Sequence, residues 1–87
     1  VAGYSVSIER RAQKALALLP DNVYTRIIKA IDGLTKDPRP PGAKALQGRH
    51  SYLRIRVGDY RVMYTVQDDA RSVQVIYVGH RLDVYRN

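Results

Sequence analysis

Tyr52-Leu53-Arg54-Ile55-Arg56-Val57-Gly58-Asp59-Tyr60-Arg61-Val62-Met63-Tyr64 is the most informative run of this 87-residue chain. Apolar residues alternate with others on both sides of Gly58-Asp59. A period of two marks a half-buried strand, and a two-residue break containing glycine marks a tight hairpin. The spacing predicts strands over 52–57 and 60–66. A two-residue turn pairs Val57 with Tyr60, Arg56 with Arg61, Ile55 with Val62, Arg54 with Met63 and Leu53 with Tyr64. Side chains of a strand point alternately to its two faces. One face then carries Leu53, Ile55, Val57, Tyr60, Val62 and Tyr64. The other carries Arg54, Arg56, Arg61 and Met63. Like charges directly opposite one another are unfavourable, and neither strand puts a carboxylate on that face. Residues 44–66 hold five basic side chains and one acidic. Such a face suits an anion. A solvated outer sheet face accounts for the same residues without any ligand, and a bulge or longer turn would take Arg61 out of register with Arg56.

Working toward the carboxyl end, Gln67 to Arg71 form a turn and 72–79 a third strand. Val73, Val75 and Tyr77 are expected on one of its faces and Ile76 and Val78 on the other, so it reads as a central strand. Its antiparallel return brings its end to the Gly58-Asp59 end of the hairpin. His80 and Arg81 are therefore expected beside Arg56 and Arg61. Working toward the amino end, Pro38-Arg39-Pro40-Pro41-Gly42 reads as a stiff extended connector. Before it, Tyr24, Ile27, Ile28, Ile31 and Leu34 fall at helical spacing, with Asp21 or Asn22 available as a cap and Asp37-Pro38 as a stop. Ala12, Ala15, Leu16 and Leu19 predict an earlier helix, ended by Pro20. Tyr4-Ser5-Val6-Ser7-Ile8 alternates as a short strand. The expected fold is α+β: a strand, an antiparallel helical hairpin, then three antiparallel strands. The helices pack on one face of a mainly antiparallel sheet, and residues 1–87 form a single domain.

Composition narrows the function classes. Fifteen Lys and Arg against eight Asp and Glu give a net charge of +7, and eleven of the fifteen are arginines. That balance predicts an anionic partner. Arginine's planar fork binds phosphate or carboxylate through two bonds, so the arginine bias favours oriented contacts. Without cysteine there is no disulfide scaffold, thiolate nucleophile or Cys-ligated zinc, which fits a reducing cytoplasm. No apolar run is long enough for a transmembrane helix, and the first residues do not read as a signal peptide.

The same residues define a chemistry. Arginine can neutralise a pentacoordinate phosphate, and tyrosine and histidine can move protons or stack on a base. That set is sufficient for RNA transesterification, in which the ribose 2′-hydroxyl supplies the nucleophile and no metal is required. Asp59, Asp68, Asp69 and Asp83 lack a paired metal-ligand spacing, and no glycine-rich loop begins a helix. No cofactor is expected. An ordinary surface role is the bland account of His80, and capping of the sheet edge that of Tyr85. His50 is assigned nothing.

The run 52–64, followed by Val78-Gly79-His80-Arg81 and Asp83-Val84-Tyr85, resembles the RelE toxins of the RelE/ParE superfamily. The order of elements and Leu46-Gln47-Gly48 before the sheet extend the likeness over nearly the whole chain. The resemblance implies a cytoplasmic toxin of a type II toxin–antitoxin pair. Such a toxin acts in the A site of the 70S ribosome as a metal-independent endoribonuclease on mRNA, and is held by a RelB-like antitoxin. Cleavage leaves a 2′,3′-cyclic phosphate and a 5′-hydroxyl. By position, Arg54 and Arg56 match the family's basic pair, Arg61 a phosphate contact, Arg81 an arginine at the scissile phosphate or leaving group, and Tyr85 a tyrosine that stacks on or orients a base. Better-known members carry lysines at the first two positions, one of them proposed as general base. Arginine, with a pKa above about 12, is a poor base; His80, of a type that titrates near about 6.5, is the available substitute. The chain also ends two residues after Tyr85, leaving no room for the terminal helix of some relatives. Two other functions stay open: a ParE-like inhibitor of DNA gyrase, which the resemblance also implies because that branch shares the fold, and a basic RNA-binding module without turnover.

Overall fold

A computed structural model describes residues 3–46 and 52–80. The elements run β1 (Ser5–Ile8), α1 (Arg10–Ala17), α2 (Asp21–Gly33), β2 (Lys44–Ala45), β3 (Leu53–Val57), β4 (Tyr60–Gln67) and β5 (Ser72–His80). They form one five-stranded sheet in the order β1-β5-β4-β3-β2. The last three strands are antiparallel as expected. The sheet as a whole is mixed, because β1 lies parallel to β5, with Val6 beside Val73 and Ile8 beside Val75. This places the apolar third strand between two neighbours, which is why it needs no polar face. The strand β2 was not expected. It pairs Lys44 with Arg54 and adds a short edge to the hairpin.

The hairpin register is the predicted one at all five pairs, Arg56 opposite Arg61 included. Gly58 has φ +61 and Asp59 is not among the positive-φ residues. Glycine first with a left-handed φ is the type II′ pattern, whose twist matches the flanking strands. The two helices cover the apolar face. Ala12 and Leu16 of α1, and Ile27 and Ile31 of α2, are buried with Leu34 just beyond it. From the sheet, Ile55, Val62, Tyr64, Val73, Val75 and Val78 meet them.

Three local expectations are corrected. Asp21 does not cap α2 but begins it; the residue before it is Pro20, with ψ 150 and no side-chain cap. An aspartate in the first turn still complements the helix dipole. The second helix ends at Gly33, short of Asp37, so Leu34 is buried from the turn that follows. Tyr24 is exposed, and Val23 takes the inward position beside it. The connector is also more than a spacer. The Tyr64 hydroxyl donates to Pro38 O at 2.7 Å in the interior. Arg39 meets both carboxylate oxygens of Asp68, at 3.1 and 3.0 Å, and the Tyr4 hydroxyl donates to the same group at 2.8 Å. Among the described residues no helix is long and apolar enough to cross a membrane.

Candidate nucleic-acid interface

Backbone pairing fixes which side chains share the sheet's outer face, because partners across a ladder point the same way. One row runs Lys44, Arg54, Met63, Tyr77 across four strands, and the next runs Arg56, Arg61, Gly79. Four cations and no carboxylate stand in these two rows. Arg56 is exposed and Arg54 half-buried. Arg61 is only 9% exposed, unusual for an arginine. A concavity of about 240 Å³ opens at the β2 edge, lined by Pro41, Gly42, Lys44, Arg54, Ile55 and Arg56. A phosphate entering it meets three positive side chains in partial shelter from water, where charge–charge attraction is stronger than in bulk solvent. Arg39, by contrast, is committed to Asp68 and belongs to the scaffold. That pair holds the Asp68 carboxyl below the usual range, first through its bonds from Arg39 and then through Tyr4.

His80 reaches the expected end of the sheet but not the expected side. It pairs with Tyr60, one position out of phase with Arg61 and Gly79, so alternation turns it toward the opposite face. There its ring meets that of Tyr60 edge to face, with centroids 5.3 Å apart and planes at 85°. Arg26 of α2 lies on the same side, its guanidinium within 3.2 Å of where a Cβ on Gly58 would stand. The structure thus brings Arg54, Arg56 and Arg61 together and sets His80 apart from them. Arg81 and Tyr85 lie outside the described residues.

A family model described as the ParE toxin of the type II toxin–antitoxin system parDE matches residues 6–85. Toxin RelE of Mycobacterium tuberculosis is 32% identical over 87 residues, covering 95% of this chain and 87% of that protein. The chain belongs to the RelE/ParE toxin family. Toxin RelG of the same organism is 27% identical over 84 residues, spanning 95% of this chain and 97% of its own. In structure, the chain resembles one from the archaeal RelE–RelB complex of Pyrococcus horikoshii. The TM-score is 0.82 and the identity 30%, with 98% of this chain and 99% of that chain covered.

Two features of the toxin's basic face escaped the sequence. Lys44 joins it only because the connector ends in β2, and two residues are too short to show a period. Tyr77 was expected on the same face as Val73 and Val75. The ladder between β4 and β5 shifts after Met63: Met63 pairs with Tyr77, whereas Tyr64 pairs with Val75. The extra residue, Ile76, reverses the alternation. Val78 therefore faces the core, and Tyr77 and Gly79 face outward. Nothing in an apolar run such as Val75-Ile76-Tyr77-Val78 marks the bulge.

Proposed function

We propose that this toxin is a ribosome-dependent mRNA endoribonuclease acting on the A-site codon. The observation that carries the reading is the two-row face holding Lys44, Arg54, Arg56 and Arg61 without a carboxylate. In-line attack by a ribose 2′-oxygen on the adjacent phosphorus forms the new P–O bond as the bond to the 5′-oxygen breaks. The products are a 2′,3′-cyclic phosphate and a 5′-hydroxyl. Negative charge on the non-bridging oxygens grows in the transition state, and fixed guanidinium groups stabilise it more than they stabilise the ground state. Arg56 and Arg61, opposite one another, bracket one phosphate; Arg54 and Lys44, one row away, hold a neighbouring one. Arg81 is assigned the leaving oxygen and Tyr85 the stacking of a base. His80 is assigned no proton transfer, because it faces the other side of the sheet against Tyr60.

The natural partner in this reading is a RelB-like antitoxin, as in the RelE–RelB complexes of Pyrococcus horikoshii and Escherichia coli. The pair would act in the cytoplasm, where translating 70S ribosomes supply the mRNA. The deciding experiment maps new mRNA ends on programmed ribosomes, with naked RNA as control. Cuts within the A-site codon, bearing cyclic phosphate and absent without ribosomes, are expected. Intact mRNA would overturn the assignment. Gyrase inhibition is the second reading, favoured by the ParE description of the matching family model. Loss of supercoiling at stoichiometric toxin would establish it.

A further inference from the structure

The outer face carries one aromatic hydroxyl among the described residues of its two rows, and unbroken alternation had put it on the other face, with Val73 and Val75. Tyr77 is turned outward by the bulge at Ile76 and paired with Met63, next to Arg54 in the same row. Its ring lies along β5 over Gly79. A Cβ on residue 79 would stand 2.6 Å from Tyr77 Cζ and 3.0 Å from Cε2, and would overlap the hydroxyl. Absence of a side chain at 79 therefore opens the lane in which the ring rests. Gly79 is the residue paired with Arg61. The phenol oxygen is thus carried from its own row into that of Arg56 and Arg61.

We propose that Tyr77 is a substrate-binding residue of this face, its hydroxyl donating a hydrogen bond to an oxygen of the RNA phosphate held by Arg61. The inference rests on the RNA-cleavage reading and adds to it a neutral donor from a third strand. β3 supplies Arg56, β4 supplies Arg61 and β5 supplies Tyr77, so the anion is gripped across three adjacent strands. A phenol gives one directional O–H, and a bond to a charged acceptor is stronger than one between neutral groups. Gly79 is a positioning residue in this arrangement, since any side chain there would push the ring off its line.

The test uses the full chain and a short single-stranded RNA with 2′-O-methyl riboses, which binds but cannot be cleaved. Affinity is read by fluorescence anisotropy at one fixed low salt. Tyr77→Phe keeps the ring and removes only the hydroxyl. It is expected to weaken binding about tenfold, with far-UV circular dichroism showing the fold retained. Gly79→Ala, which keeps the hydroxyl but displaces it, is expected to weaken binding in the same direction. Parent affinity in Tyr77→Phe would overturn the proposal and leave the ring as a cover for the strand. Loss of antitoxin binding with RNA binding intact would overturn it too, by making the hydroxyl a protein contact. A parent chain that binds this RNA but leaves mRNA whole on ribosomes would refute cleavage, while the phenylalanine variant still decides the role of Tyr77. A parent with no affinity for RNA would overturn the proposal for Tyr77, while the ribosome assay still decides cleavage.

Discussion

Arg61 is the side chain on which the proposed chemistry leans most. It sits mid-sheet, 9% exposed, with Arg56 on one flank and Gly79 on the other. A guanidinium held in a sheltered, fixed orientation needs little reorganisation when charge develops on a phosphate. Arg61→Ala is expected to lower single-turnover cleavage on programmed ribosomes by roughly 10²–10³-fold, the usual cost of one lost oxyanion donor. Far-UV circular dichroism and antitoxin binding should show the fold retained. Arg61→Lys should recover only part of the rate, because an ammonium supplies charge without the planar fork. A variant that cleaves at the parent rate would remove Arg61 from the mechanism. His80 gives the opposite expectation. Its edge-to-face contact with Tyr60 puts it on the alternate side of the sheet, so His80→Gln should cleave at the parent rate with the parent pH profile. A lost alkaline or acidic limb in that variant would restore histidine as the base.

The hairpin joining β3 and β4 is the element that brings Arg56 opposite Arg61. Gly58 holds it at φ +61, a conformation costly for any residue with a Cβ. A Cβ there would also come within 3.2 Å of Arg26 Nη2. Gly58→Ala is therefore expected to cost about 1 kcal/mol in denaturant unfolding, and to weaken RNA cleavage by loosening the arginine pair. Unchanged stability would mean that the turn is not under this constraint. The hairpin was legible in the sequence because three signals agree there: alternation on both sides, a glycine break of two residues, and matched apolar lengths. The register followed from them, and so did the positions of Arg54, Arg56 and Arg61 on one face. Legibility failed where one residue changes phase. Ile76 is an extra residue in a strand apolar on both sides, so alternation put Tyr77 on the face of Val73 and Val75, and the structure turns it to the opposite one. The same limit hid β2, whose two residues take their pairing from Arg54 and Leu53 rather than from any pattern of their own. The parallel placement of β1 was hidden as well, since Tyr4 to Ile8 reads alike beside either kind of neighbour.

Across the whole molecule, the basic face is braced by a polar link at the other end of the sheet. Arg39 from the connector and Tyr4 before β1 both donate to the carboxylate of Asp68, just after β4. The Tyr64 hydroxyl fastens the same connector through Pro38 O. One end of that connector leads to Lys44 and the 240 Å³ concavity, so a link remote from the arginines fixes the chain that completes their edge. Its charge state has a defined sign with pH. Asp68 is held below the ordinary carboxylate value, first by Arg39 and then by Tyr4. A depressed folded pKa contributes stability above the unfolded value, about 4, that is lost as pH falls through the folded one. Tyr4 is raised, chiefly by its hydrogen bond to Asp68. Its contribution is present below the unfolded tyrosine value, about 10, and is lost as pH rises through the folded one. Both groups are solvent-facing, so each effect is small. The unfolding midpoint of the parent should fall at both extremes. Asp68→Asn should start lower at neutral pH and fall less steeply below about pH 4, because position 68 then has no carboxylate to protonate. It should also lose the part of the alkaline limb that Tyr4 owes to that carboxylate. Parallel curves for parent and variant would show the brace to be without thermodynamic weight, and the connector to be held by the Tyr64–Pro38 bond and the burial of Pro38.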